Sequence, residues 1–146
     1  MANPVLSVEE VREFIQDKVE KNHLLDDNEF APTQIQLAME MAVDRFNMII
    51  PIGSTNLFTF PSRTLLLYGT LANLFAGQAA LLARNTMNYS DGGINIPVEE
   101  RSQLYVGLAE MYEAAFATSA KAIKLQANIE DGWGMVRSDY AYFPTW

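Results

Sequence analysis

Apolar residues recur along the chain in four blocks at three-to-four spacing, separated by stretches rich in polar residues, Gly and Pro. In the first block Val8, Val11, Ile15 and Val19 fall on one stripe with Phe14 beside it, predicting a helix that runs to about Lys21. Ser7 and Glu10 have the spacing of a capping box and mark its start. Lys18 and Lys21 then suit the negative pole of its dipole. A polar connector over residues 22–31 leads to Pro32, placed where a first-turn proline costs no hydrogen bond. Helix two follows, with Ile35, Ala38, Met39, Ala42, Phe46 and Ile49 expected inside and Glu40, Asp44 and Arg45 outside. It should stop before Pro51, giving a turn-rich loop and a short extended piece at Leu57, Phe58, Thr59 and Phe60.

Pro61 is expected to open the third helix, which should continue to about Asn88. Residues 64–83 are uncharged and bracketed by Arg63 and Arg84, a run long enough to cross a bilayer. Asn73 and Gln78 within it, and the lack of paired aromatic anchors, favour a central helix covered by its neighbours. Gly69, Ala72, Asn73, Ala76, Gly77 and Ala80 offer one face for close backbone approach. After a Gly-rich loop over residues 88–95, Pro97 begins a last helix of about thirty residues. Its expected stripe is Val98, Arg101, Tyr105, Leu108, Tyr112, Ala115, Ser119, Ala122 and Ile123, without a coiled-coil heptad. The fold class is therefore all-α: a small bundle of about four helices, two of them long. Residues 1–131 form the bundle and residues 132–146 an extended C-terminal arm, with a turn expected over Glu130, Asp131, Gly132, Trp133 and Gly134.

The absence of cysteine excludes disulfides, thiolate nucleophiles and Cys-based metal sites. A net charge of −8 with no basic cluster argues against wrapping nucleic acid, although a negative surface suits a passage through which DNA slides without sticking. The first twenty residues lack the pattern of a signal peptide, so the chain reads as cytosolic and its Asn88-Tyr89-Ser90 sequon as silent. Catalytic schemes find no material. His23, the sole histidine, lies in the connector, and Glu110 and Glu113 share a helical face without an imidazole partner. No phosphate loop, nucleophile elbow or calcium loop is present. No catalytic residue, cofactor or metal site is expected.

The arm resists so plain an account. Tyr140, Tyr142, Phe143 and Trp146 bring four aromatic residues into seven positions at the end of the chain, where polar residues are usual. Burying them contributes about 15–25 kcal/mol gross, and ordering a dozen residues costs about 12–24 kcal/mol. The two nearly cancel, so a tail folded back on its own body is marginal, whereas one that also pairs its backbone with an edge strand of a partner gains a net surplus. Trp133, Met135, Val136, Tyr140, Tyr142, Phe143 and Trp146 are the candidate partner-binding residues.

Three segments carry a resemblance: Ala42-Val43-Asp44-Arg45-Phe46-Asn47 in helix two, Asn88-Tyr89-Ser90-Asp91-Gly92-Gly93 after the uncharged helix, and Ile129-Glu130-Asp131-Gly132-Trp133-Gly134 at the end of the last. With the order of elements, they make the chain resemble the head-to-tail adaptor (connector, or neck) proteins of tailed bacteriophages. That resemblance implies a structural virion protein, not an enzyme, made in the host cytoplasm and sited in the virion neck. It implies a homo-oligomeric ring, commonly of twelve copies, between the portal protein and the tail or neck proteins, with DNA passing through unbound and no membrane involved. The C-terminal segment would clasp the portal, with Trp133 at its hinge, and the loops over residues 51–60 and around Gly92 would meet neighbours. Other readings are another virion part, such as a tail-completion or head-decorating protein, and a regulatory domain binding a ligand between helices two and three. The latter pocket would be lined by Met39, Met41, Met48, Phe46 and Phe75. Deleting residues 136–146 is expected to leave a folded chain that no longer binds its partner, checked by circular dichroism and a pull-down against portal protein.

Overall fold

The computed structural model describes residues 4–22, 27–85, 90–91, 94–95 and 99–135. Four helices carry the fold: α1 (Val8–Ile15), α2 (Pro32–Met48), α3 (Arg63–Arg84) and α4 (Glu99–Met135). The architecture is the expected all-α bundle with α3 and α4 as its long members. A two-residue antiparallel pairing of β1 (Ser90–Asp91) with β2 (Ile94–Asn95) lies between those two helices in sequence.

The capping box at α1 forms as predicted, with the Glu10 amide donating to Ser7 Oγ and the Ser7 amide to Glu10 Oε2. The second of these bonds, aided by Arg63, holds the Glu10 carboxyl below its ordinary pKa. The helix ends earlier than predicted. Gln16 takes the left-handed conformation at φ 58°, and Asp17, only 5% exposed, turns inward. Its carboxylate accepts the amides of Glu29 (2.7 Å) and Phe30 (3.0 Å) and the side-chain amide of Asn22 (2.7 Å). These bonds satisfy backbone groups of the connector that a longer helix would leave without partners. Val19, placed on the inward stripe by the sequence, is therefore half-exposed; Phe14, beside that stripe within α1, is half-exposed too, while Val11 is fully buried.

Pro32 occupies the first turn of α2, and Gln34 reaches back to accept from the Ala31 amide at 2.8 Å. Ile35, Ala38, Met39, Ala42 and Phe46 are buried as expected, joined by Val43. Arg45 departs from the expectation and turns inward. Its guanidinium donates to Asn73 of α3 (3.0 Å) and to both carboxylate oxygens of Glu113 on α4, and lies 4.9 Å above the Phe116 ring. Beyond α2, Leu57, Phe58 and Thr59 form a turn instead of an extended piece, because Asn56 and Thr59 satisfy one another's backbone and side-chain groups.

Ser62, not Pro61, opens α3 by accepting the Leu65 amide, and the helix closes at Asn85. By length and composition α3 could span a bilayer, with mean hydropathy 1.5 over its most apolar window. Here half of that window is buried, and Leu65, Leu66, Leu71, Leu74 and Phe75 form the centre of the core between α2 and α4.

The stripe of small residues divides in two. A Cβ at Gly69 would stand 2.7 Å from the Ala42 Cβ and 2.8 Å from the Phe116 ring, so that glycine is where α2, α3 and α4 meet. Gly77 meets nothing within 4 Å, and Ala76 and Ala80 are exposed.

Helix α4 also corrects the sequence reading. It continues through Gly132, Trp133 and Gly134 to Met135, where a turn was expected. Lengthening an existing helix adds one hydrogen bond per residue with no new nucleation, which offsets a glycine cost of up to about 1 kcal/mol at each site. Its core-facing residues are Phe116 and Ala120, with Tyr105, Ala109, Tyr112 and Ile123 partly buried against them. The predicted stripe had merged this face with its neighbour.

Two glycine substitutions separate these roles. Gly69→Ala is expected to destabilise the chain by roughly 1–3 kcal/mol through overpacking, whereas Gly77→Ala should stabilise it by up to about 1 kcal/mol through helix propensity. Urea unfolding of the two variants provides the check.

Candidate functional site

The face of α4 beside its buried stripe is apolar too. Leu104, Leu108, Met111, Ala115, Thr118, Ala122, Leu125 and Ile129 follow one another at alternating spacings of four and three residues. Seven of these eight are apolar, and the seam extends about 38 Å along the helix at 1.5 Å per residue. Leu104 is 68% exposed, Met111 53%, Leu125 61% and Ile129 49%. A 3.5-residue apolar period is the pattern by which one helix packs along another, and a soluble surface rarely leaves such a run uncovered. This seam corrects the expectation of a helix without a heptad, which arises because Tyr105, Tyr112 and Ile123 on the adjoining face read equally well as part of a single stripe.

A second apolar feature stands at the loop after α2. Met48, Ile50, Ile52 and Phe58 are all more than half exposed, yet the loop beneath them is fixed. Asn47 donates to the Thr55 carbonyl (2.8 Å) and accepts from the Thr55 amide (3.0 Å) and hydroxyl (2.7 Å). From α4 the buried Lys124 reaches across, its ammonium donating to the Pro51 carbonyl at 2.8 Å and lying 4.5 Å from the centre of the Phe46 ring. Nothing in the spacing of α4 distinguishes this lysine from a solvated one, because its partners belong to another part of the chain.

Of the predicted partner-binding residues, Trp133 and Met135 lie in the last turns of α4. Val136, Tyr140, Tyr142, Phe143 and Trp146 fall outside the described residues, as does His23. Glu113 is engaged with Arg45, which separates it chemically from its neighbour Glu110. Among the described residues no group of three or more His, Asp or Glu side chains gathers to hold a metal ion.

The proposed ligand pocket between helices two and three does not form from its five residues. Met39, Phe46 and Phe75 are core, and Met48 is exposed. Met41 lines a surface groove there instead, with Leu37, Ala76, Gly77 and Leu81.

A separate polar cluster centres on Glu29, within residues 22–31 whose sequence reads only as a connector. Glu29 Oε1 accepts from Gln78 of α3 (3.0 Å) and from the Tyr105 hydroxyl of α4 (2.5 Å). Tyr105 stacks with Phe75 at 5.8 Å, and Phe75 in turn contacts Phe30 and Tyr112. Burial, then the hydrogen bond and the negative charge of Glu29, raise the Tyr105 pKa well above that of a free phenol.

No protein-family profile, curated protein or solved structure matches the chain.

The raised Tyr105 pKa sets an alkaline limit. Its contribution to stability is whole below the unfolded phenol's pKa of about 10 and is lost as pH rises beyond it, since the unfolded chain ionises first. Thermal unfolding from about pH 9 to pH 11 should therefore show a steeper fall in Tm for the native chain than for Tyr105→Phe, which is less stable at neutral pH but lacks this ionisation.

Proposed function

We propose that the chain is a structural subunit without catalytic activity: a head-to-tail adaptor that forms a ring between the portal and the tail of a bacteriophage and lines the DNA passage. The observation that carries this reading is the 3.5-residue seam along α4, from Leu104 to Ile129, which the other described residues leave largely exposed. A long rigid helix with such a seam is built to lie against a second helix. The likeness of the sequence to neck adaptors supplies the particular assembly.

A closed ring uses two different surfaces on each subunit. The seam offers one. The groove between α2 and α3 offers the other, since Ala76 and Gly77 on its floor allow a helix close approach between the walls of Leu37, Met41 and Leu81. The exposed tips at Ile50, Ile52 and Phe58 and the segment from Trp133 to Trp146 then remain for the portal and tail. A net charge of −8 agrees with a lumen that repels a phosphate backbone.

Met111→Glu combined with Leu125→Glu places two charges on the seam without touching the core. The double variant should keep the native helix content by circular dichroism and lose self-association in sedimentation experiments, alone and with portal protein present. Rings should appear for the native chain by electron microscopy. A native chain that stays monomeric in both settings, or a variant that assembles unchanged, would refute the reading; open filaments or two-fold dimers would refute the adaptor and leave a different assembly.

A further inference from the structure

Beside the α4 seam lies an open cleft of about 420 Å³, within the range of small-molecule sites. Five of its twelve lining residues are aromatic: Phe14, Phe30, Phe75, Tyr105 and Tyr112. Two carboxylates, those of Asp17 and Glu29, also line it. Neither forms an ion pair among the described residues. Asp17 is held by three N–H donors, whereas on Glu29 both hydrogen bonds fall on Oε1, leaving Oε2 without a partner among the described residues. Arg101 lines the cleft as well, but it is exposed and pairs with neither acid.

Two carboxylates against one exposed guanidinium, in a cleft lined by five aromatic side chains, favour one chemical class. A cation is favoured both by the carboxylates and by the negative faces of the rings, the more so as water is displaced. A bare divalent ion is poorly served, because it requires six or more oxygen ligands and most of this wall is carbon. We infer that the cleft binds an organic cation, an alkylammonium group, held between Glu29 and the aromatic rings of Phe14 and Tyr105. Two sources share that chemistry. One is a free small amine. The other is a lysine side chain from a protein lying along the seam, since Leu104 and Leu108 belong both to the seam and to the cleft lining.

The test is an NMR titration of the full chain with three probes: choline, its neutral isostere 3,3-dimethylbutan-1-ol, and a capped Gly-Lys-Gly peptide. At least one of the two cations should give saturable shifts of the Tyr105 and Phe14 ring signals, with the neutral isostere about tenfold weaker. Glu29→Gln, which preserves an acceptor for Tyr105 and Gln78, should weaken the cation about tenfold. Phe14 is half-exposed and its truncation leaves the core intact, so Phe14→Ala should weaken it severalfold even if the first variant proves unstable. Tighter binding of choline would assign the site to a free amine, and tighter binding of the peptide to a protein side chain. No saturation by either cation, equal binding of the isostere, or unchanged affinity in both variants would overturn the inference. Because the titration needs only the dispersed chain, it stands or falls separately from ring assembly.

Discussion

The bundle depends on a single close approach, the one at Gly69. There α3 presents bare backbone, and Ala42 from α2 and the edge of Phe116 from α4 occupy the space a side chain would need. Any larger residue separates three helices at once, and with them the contacts that surround the junction: the Arg45 guanidinium shared between Asn73 and Glu113, the Phe46 and Phe60 rings, and the Asn73 amide bonded to the Ala38 carbonyl. Close packing makes these contacts cooperative, because interiors at near-crystalline density relax little around a misfit. The polar bonds at Arg45 lie at the edge of the core, where their geometry orients the helices more than it stabilises them.

How much of this was legible in the sequence follows the range of the interactions involved. Signals confined to a few neighbouring residues read correctly: the Ser7–Glu10 capping box, Pro32 in a first turn, and the buried stripe of α2. Residues whose environment is set by distant parts of the chain did not. Asp17 reads as an ordinary helix residue until the amides of Glu29 and Phe30 are brought to it. Lys124 reads as solvated until Pro51 and Phe46 arrive. Likewise Gly69 and Gly77 are alike in sequence and differ only in what faces them.

The error on α4 is the most informative. One broad apolar arc was read as one stripe, but the arc is wider than α3 can cover. Its inner half, at Tyr105, Tyr112 and Phe116, meets the core, and its outer half, at Leu104, Met111 and Leu125, is left more than half exposed by the described residues. A helix that is apolar over more of its circumference than its own fold needs has surface left for another molecule. The C-terminal arm stands out in the sequence by its aromatic density, and the described residues show an exposed apolar surface earlier, along the body of α4.

Lys124 gives the distal half of α4 a mechanical connection. Its ammonium is bonded to the Pro51 carbonyl, in the middle of a loop whose neighbouring Ile50 and Ile52 side chains project outward. Leu125, the next residue along the helix, belongs to the outer seam. The helix half that carries the outer seam and the loop that carries Ile50 and Ile52 are thus tied together by a single buried side chain, so the two apolar surfaces are held at a fixed spacing.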